Sequence, residues 1–96
     1  MGEALTSPIA GKEFVLYRDP TWIGSSPKSE IHLFKDPQVA PRHAAIHRVG
    51  EHYEIEDQGT AVGTMVGGQR IQRRRLLDRD RVTVGQTMFE FHMRDE

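Results

Sequence analysis

Short stretches in which apolar and polar residues alternate recur along this chain of 96 residues. The clearest are residues 45–49 and 52–56, and in the second stretch Tyr53 and Ile55 fall on the same face. A period of two residues is typical of a half-buried β-strand. No window keeps an apolar period of 3.6 residues for long, so the pattern favours strands over helices.

Turn-forming residues separate these stretches from further β-rich runs. Asp-Pro pairs at 19–20 and 36–37 interrupt the pattern, and Gly67-Gly68 suits a hairpin turn because both positions tolerate positive φ. Several short strands at this spacing predict an all-β sandwich of two antiparallel-type sheets. The predicted strands lie at residues 13–17, 21–23, 31–33, 45–49, 52–56, 64–66, 81–84 and 88–91. We place five aromatic side chains in the core, namely Phe14, Trp22, Tyr53, Phe89 and Phe91.

Length and charge narrow the class of protein. Ninety-six residues fit one compact domain, which we assign to residues 13–94 after an N-terminal extension at 1–12. The formal net charge is −1, so no global field attracts nucleic acid or a membrane surface. The chain has no cysteine, which excludes disulfides and thiolate zinc sites and agrees with the cytoplasmic location that we expect. No apolar run approaches the roughly 18–20 residues that span a bilayer.

Four short motifs follow one another between residues 14 and 91. They are Ile23-Gly24, Arg42-His43-Ala44, Asp-Gln-Gly-Thr-Ala-Val-Gly-Thr at 57–64, and Leu-Leu-Asp-Arg-Asp-Arg-Val-Thr-Val-Gly at 76–85. Each is weak alone, but their order and spacing resemble the forkhead-associated (FHA) domain, a phosphothreonine-binding module. That resemblance implies a SMAD/FHA-type sandwich with loops at one end forming a binding edge.

The resemblance also implies which residues form that edge. The family motifs place Ser25, Ser26, Ala40, Arg42, Thr60, Ala61 and Val62 in the binding loops, and give Gly24, His43 and Gly63 structural roles. The family usually has Arg at the position of Ser25, Ser at that of Ala40 and Asn at that of Val62. Pro41 additionally removes a backbone N–H.

These replacements bear on phosphate binding. A hydrogen bond to a charged group contributes about 1.5–3 kcal/mol, so losing two or three costs about 3–9 kcal/mol. Since about 1.4 kcal/mol is tenfold in affinity, even the smaller loss is about a hundredfold. The sequence therefore predicts a non-catalytic interaction module, part of a larger signalling or secretion-type protein, that has lost the usual phosphothreonine grip.

Two alternatives remain open. Phosphothreonine could be held through substituted contacts from Arg42, Thr60, Arg18 or Lys28, or the domain could dock or oligomerise without any phosphate. The chain has no Gly-x-Ser-x-Gly elbow, no phosphate-binding Gly-x-x-x-x-Gly-Lys loop and no His-Glu-x-x-His helix, so we expect neither catalysis nor a cofactor. The expected partner is a protein or peptide, phosphorylated or not, rather than nucleic acid or a membrane.

Two further patterns have competing interpretations. His43 and His47 have metal-site spacing on a helix, but on a strand their side chains lie about 13 Å apart, so we expect no metal site and a structural His43. Residues 70–81 contain six arginines and two aspartates. This arginine cluster predicts either a surface for an acidic partner or a solvated edge strand whose charges block pairing.

Overall fold

The computed structural model describes residues 4–7, 12–16 and 18–93, and only the backbone of 4–7, 12 and 13. Within these residues the protein consists of strands, turns and loops, which confirms the predicted all-β class. The strands are β1 (Ala4–Ser7), β2 (Lys12–Val15), β3 (Thr21–Gly24), β4 (Ile31–His32), β5 (Ala44–Val49), β6 (His52–Asp57), β7 (Thr64–Val66), β8 (Gln69–Ile71), β9 (Arg73–Leu76), β10 (Arg81–Val84) and β11 (Thr87–His92). No described segment is a helix of the length and apolarity needed to cross a bilayer.

Two sheets pack against each other. One has six strands in the order β2-β1-β11-β10-β7-β8, and the other has five in the order β4-β3-β5-β6-β9. The strand pairs are antiparallel, as predicted, except that β4 lies parallel to β3. This exception arises because the loop after β3 carries the chain back to the start of the neighbouring position, so that β4 runs in the same direction as β3.

Strand β1 lies in the segment predicted as an N-terminal extension. It pairs with β11 on one side and with β2 on the other, so residues 4–7 form an inner strand of the six-stranded sheet rather than an extension outside it. Four residues of mixed polarity are too few to show alternation, and only pairing with β11 and β2 defines them as a strand. Residues 1–3, 8–11, 17 and 94–96 lie outside the described residues.

The core fills the space between the sheets. Alternation along β10 and β11 points Val82, Val84, Phe89 and Phe91 inward, where they are fully buried. They meet buried residues of the other sheet, and Tyr53 packs edge-on against Phe91 with ring centroids 5.9 Å apart. Such a contact joins the two sheets directly.

Trp22 lies outside this core, contrary to expectation. The neighbouring Ile23 is fully buried, so the alternation of β3 turns the half-exposed Trp22 to the outer face of the five-stranded sheet. One residue of displacement along a strand exchanges the buried and exposed faces.

The arginine cluster begins on two edge strands. β8 ends the six-stranded sheet and β9 ends the five-stranded sheet, as the edge-strand interpretation predicted. Arg73 of β9 pairs with Glu54 at 2.6 Å and approaches Glu56 at 3.8 Å. Part of the positive charge is thus balanced by the adjacent strand β6.

Three loops lie together at one end of the sandwich. The first loop (residues 25–30) joins β3 to β4, the second loop (33–43) joins β4 to β5, and the third loop (58–63) joins β6 to β7. We call these three loops the loop edge.

Candidate functional site

A fully buried histidine connects the second loop to the third. The backbone N–H of Ala40 donates to Nδ1 of His43 at 3.1 Å, so the ring proton sits on Nε2. Nε2–H donates to the carbonyl oxygen of Gly63 at 2.8 Å. Both ring nitrogens are therefore occupied by groups of the protein itself, which is the geometry of a structural residue.

The first loop is bonded to the second through its backbone. The amides of Ser25 and Ser26 donate to the carbonyl oxygens of Ala40 and Pro41 at 3.0 and 3.2 Å. Gly24 permits this approach, because a Cβ there would collide with the Pro41 oxygen. The three loops that the family motifs single out are thus brought together, and the two amides of the first loop are already engaged.

The third loop is organised by the carboxylate of Asp57. It accepts hydrogen bonds from the Gly59 and Thr60 amides and from the hydroxyls of Thr60 and Thr64, at 2.7–3.0 Å. Burial by itself raises the pKa of Asp57, but the combined hydrogen bonds from Thr60, Thr64 and Gly59 outweigh it and lower that pKa below its ordinary value.

The hydroxyl of Thr60 is fully used inside the loop. It donates to Asp57 at 2.7 Å and accepts from the Gly63 amide at 3.0 Å, while Nε2 of His43 lies 3.3 Å away. A hydroxyl has one proton and two lone pairs. Thr60 could therefore contact a phosphate only by giving up one of these internal bonds.

An arginine from the cluster braces the same loop, which the motifs did not reveal. Nη2 of Arg70 donates to the carbonyl oxygens of Thr60 and Ala61 at 3.1 and 3.3 Å. Its guanidinium lies where a side chain on Gly63 would otherwise project. Gly63 itself has φ of +80°, a conformation that favours glycine. The glycine was a visible signal, but its partner depends on the β7–β8 hairpin register.

Two of the three cations considered as substitute phosphate ligands are engaged elsewhere. The guanidinium of Arg42 lies over the Trp22 ring, 4.7 Å from its centroid, on the sheet face. Arg18 lies 4.0 Å from Glu30, whose other oxygen accepts the Trp22 amide at 2.7 Å. Lys28 is exposed in the first loop, with no salt-bridge partner in the described part of the chain.

The surface around the three replaced positions is neutral and partly apolar. Ser25 and Ser26 are half-buried, Pro41 and Ala61 are exposed, and the Val62 side chain is 46% exposed. Within the described residues, no three His, Cys, Asp or Glu side chains are grouped so as to hold a metal ion. The chemistry on offer is thus apolar contact and hydroxyl hydrogen bonding, with Lys28 and Lys35 supplying positive charge in the first and second loops.

Comparison with known proteins identifies the family. The FHA domain profile matches residues 21–85. This chain belongs to the FHA domain family. FHA domains are non-catalytic interaction modules that bind phosphorylated peptides or proteins.

Curated relatives of this chain include two regulatory proteins. The chain is 34% identical over 84 residues to an oxoglutarate dehydrogenase inhibitor of Corynebacterium jeikeium, covering 88% of this chain and 58% of that protein. It is 32% identical to the glycogen accumulation regulator GarA of Mycolicibacterium smegmatis, covering 88% and 52%. It thus spans a little over half the length of these two relatives.

A solved structure shows the same fold in a larger protein. EmbR of Mycobacterium tuberculosis, in complex with a low-affinity phosphopeptide, superposes with a TM-score of 0.91 at 27% identity. The match covers 95% of this chain and 24% of EmbR.

Proposed function

We propose that this FHA domain recognises a segment of a partner protein through its loop edge without the phosphothreonine grip of its family. One observation carries the proposal: the three positions where the family keeps gripping side chains hold Ser25, Ala40 and Val62. These positions belong to three loops that the structure brings together. The replacements therefore act on one surface.

The other donors of the edge support this proposal. A phosphothreonine presents nearly two negative charges and three acceptor oxygens, which guanidinium forks and free amides satisfy best. Here the amides of Ser25 and Ser26 donate to the second loop, and the Thr60 hydroxyl donates to Asp57. Any ligand that relied on these groups would have to displace internal bonds.

A second candidate is phosphopeptide binding through substituted contacts. The half-buried Ser25 and the exposed Lys28 favour it, because a hydroxyl and an ammonium lie in the loop that carries the family arginine. The phosphopeptide complex of EmbR points the same way. A single ammonium replaces a bidentate fork only in part, so this candidate predicts weak binding.

Paired peptide libraries separate the two candidates. The chain of 96 residues is titrated with a degenerate phosphothreonine library and with its unphosphorylated twin, and the affinities are measured by calorimetry. We expect the affinities for the phosphorylated and the unphosphorylated library to agree within about threefold. Binding that is confined to the phosphorylated library, even if weak, would overturn the proposal and favour the second candidate.

A further inference from the structure

Phe34 is an exposed aromatic side chain directly after β4. At 64% exposure it is the most exposed large apolar side chain among the described residues. Single exposed apolar residues are common on protein surfaces. Exposure alone therefore decides nothing, and the groups that surround the ring determine what it can do.

Phe34 belongs to the second loop, and its ring is held next to the first loop. His32 packs against it with ring centroids 5.1 Å apart, and Nε2 of His32 is hydrogen-bonded to the carbonyl oxygen of Ser25 at 3.1 Å. The backbone just before it is held as well, since the Leu33 amide donates to the Gly24 oxygen at 2.8 Å. Phe34 thus lies beside the first loop rather than on a separate part of the surface.

Asp36 anchors the backbone after Phe34. Its carboxylate accepts from the amides of Gln38 and Gln86 and from the hydroxyl of Thr87, at 2.7–3.0 Å. These bonds tie the second loop to the turn between β10 and β11. An aromatic residue on backbone fixed at both ends loses little conformational entropy on binding, which is the property of interface anchors.

The charged group shown beside this ring is positive. Nζ of Lys35 lies 5.6 Å from the Phe34 centroid, and Lys28 projects from the first loop. The two carboxylates between residues 24 and 43 are both engaged, Asp36 in the bonds just described and Glu30 with the Trp22 amide. In the described residues neither lysine has a salt-bridge partner, so the aromatic surface carries uncompensated positive charge.

We propose that Phe34, His32 and Lys35 form a contact surface for a segment of a partner protein that carries an apolar side chain next to a carboxylate. The apolar side chain packs on the Phe34 ring, and the carboxylate pairs with the Lys35 ammonium. This inference rests on the proposed function, because Phe34 and Lys35 belong to the second loop of the loop edge that binds the segment. It adds what that function leaves open, namely the chemistry that selects the partner.

Selection from an unphosphorylated peptide-display library tests the surface. The chain of 96 residues is immobilised, and binders are then titrated against Phe34→Ala, Lys35→Glu and the control Leu77→Ala. Leu77 is 51% exposed and directly follows Leu76. Leu76 pairs with Tyr53 near the start of β6, whereas the third loop follows the other end of that strand. We expect enrichment of an apolar residue beside Asp or Glu, a loss of about tenfold in affinity for Phe34→Ala, a smaller loss for Lys35→Glu, and no change for the control.

A fourth variant, Val62→Asp, separates failure of this inference from failure of the proposed function. Binding that Val62→Asp abolishes and Phe34→Ala leaves intact would overturn the contact surface alone. Binding that Phe34→Ala abolishes and Val62→Asp leaves intact would support the surface but place Val62 and the third loop outside the site. If no peptide is enriched, the partner class is overturned. Sedimentation then shows whether the occupant is a second copy of this chain, as a Phe34-dependent dimer would indicate.

Discussion

Nε2 of His43 lies 2.8 Å from the carbonyl oxygen of Gly63, which is 20 residues later in the chain. This bond holds the second and third loops in contact, while Nδ1 of the same ring holds the Ala40 amide. One buried side chain thereby sets the spacing between two of the loops that form the loop edge.

Replacing His43 by Ala destabilises the domain. The substitution leaves the Ala40 amide and the Gly63 oxygen without partners, which costs about 1–3 kcal/mol. In a domain of this size about 1 kcal/mol corresponds to about 4–8 °C in melting temperature. Thermal unfolding monitored by circular dichroism measures the change. The matched control is His47→Ala on the outer sheet face, where His47 pairs with Glu56 at 3.0 Å and remains partly exposed. An unchanged melting temperature for His43→Ala would show that the ring is not structural.

We expect Gly63 and Arg70 to be energetically coupled. A Cβ at position 63 would collide with the Arg70 guanidinium, and an alanine there would have to adopt positive φ. We therefore expect Gly63→Ala to lower the free energy of unfolding by about 1–3 kcal/mol. In an Arg70→Ala background the collision disappears, and only the backbone strain remains. We expect the second cost to be smaller, which a double-mutant cycle measured by denaturant unfolding detects.

Arg70→Ala alone loosens the third loop. It removes the two bonds to the Thr60 and Ala61 oxygens, so the amides of residues 60–62 should exchange hydrogen faster while strand amides are unchanged. Arg75→Ala, an exposed member of the same arginine cluster, serves as the control. Equal exchange in the two variants would contradict a bracing role for Arg70.

Acid weakens the fold through Asp36 and Asp57. For both groups burial raises the pKa, but the hydrogen bonds they accept outweigh it and lower the pKa below its ordinary value of 3.8. A carboxyl group with a lowered folded-state pKa stabilises the protein above its unfolded-state pKa of about 3.9 and loses that contribution as pH falls towards the folded-state value. Urea unfolding should show stability falling below about pH 4. Asp36→Asn should be less stable at neutral pH and lose less stability on acidification, whereas Glu51→Gln, at an exposed position, should follow the wild type.

Phosphate dependence can be restored in part. Ser25→Arg supplies a forked donor, Ala40→Ser a hydroxyl and Val62→Asn a group that can hold the peptide backbone. We expect the triple variant to prefer phosphothreonine over threonine peptides by about tenfold or more, with Ser25→Arg contributing most, since a charge-assisted bond is worth about 1.5–3 kcal/mol. Recovery stays incomplete while Pro41 and its bonds to the first loop remain. Calorimetry measures both affinities. A well-folded triple variant that binds phosphothreonine and threonine peptides equally would contradict this prediction.

The strands with clear alternation were predictable because each carries its own face pattern. His52–Asp57 shows Tyr53 and Ile55 on one side, and both are buried. Ala4–Ser7 and Gln69–Ile71 carry no such pattern and exist as strands through their partners. The prediction placed Trp22 on the wrong face of β3, because hydrophobicity alone does not distinguish Trp22 from Ile23. The register of β3 decides which of the two is buried.

The candidate site divides in the same way. The sequence alone determined that three positions lack the side chains usual in the family. Ser25 offers no guanidinium, Ala40 offers no hydroxyl, and Val62 offers no amide to hold the peptide backbone. Only the tertiary structure decided three contacts of the site. The Thr60 hydroxyl donates to Asp57, the Arg42 guanidinium lies over the Trp22 ring, and Arg70 donates to the third loop. The physical reason is that a residue type sets which bonds a side chain can make. Which of those bonds is formed depends on groups that pairing between distant strands brings within reach.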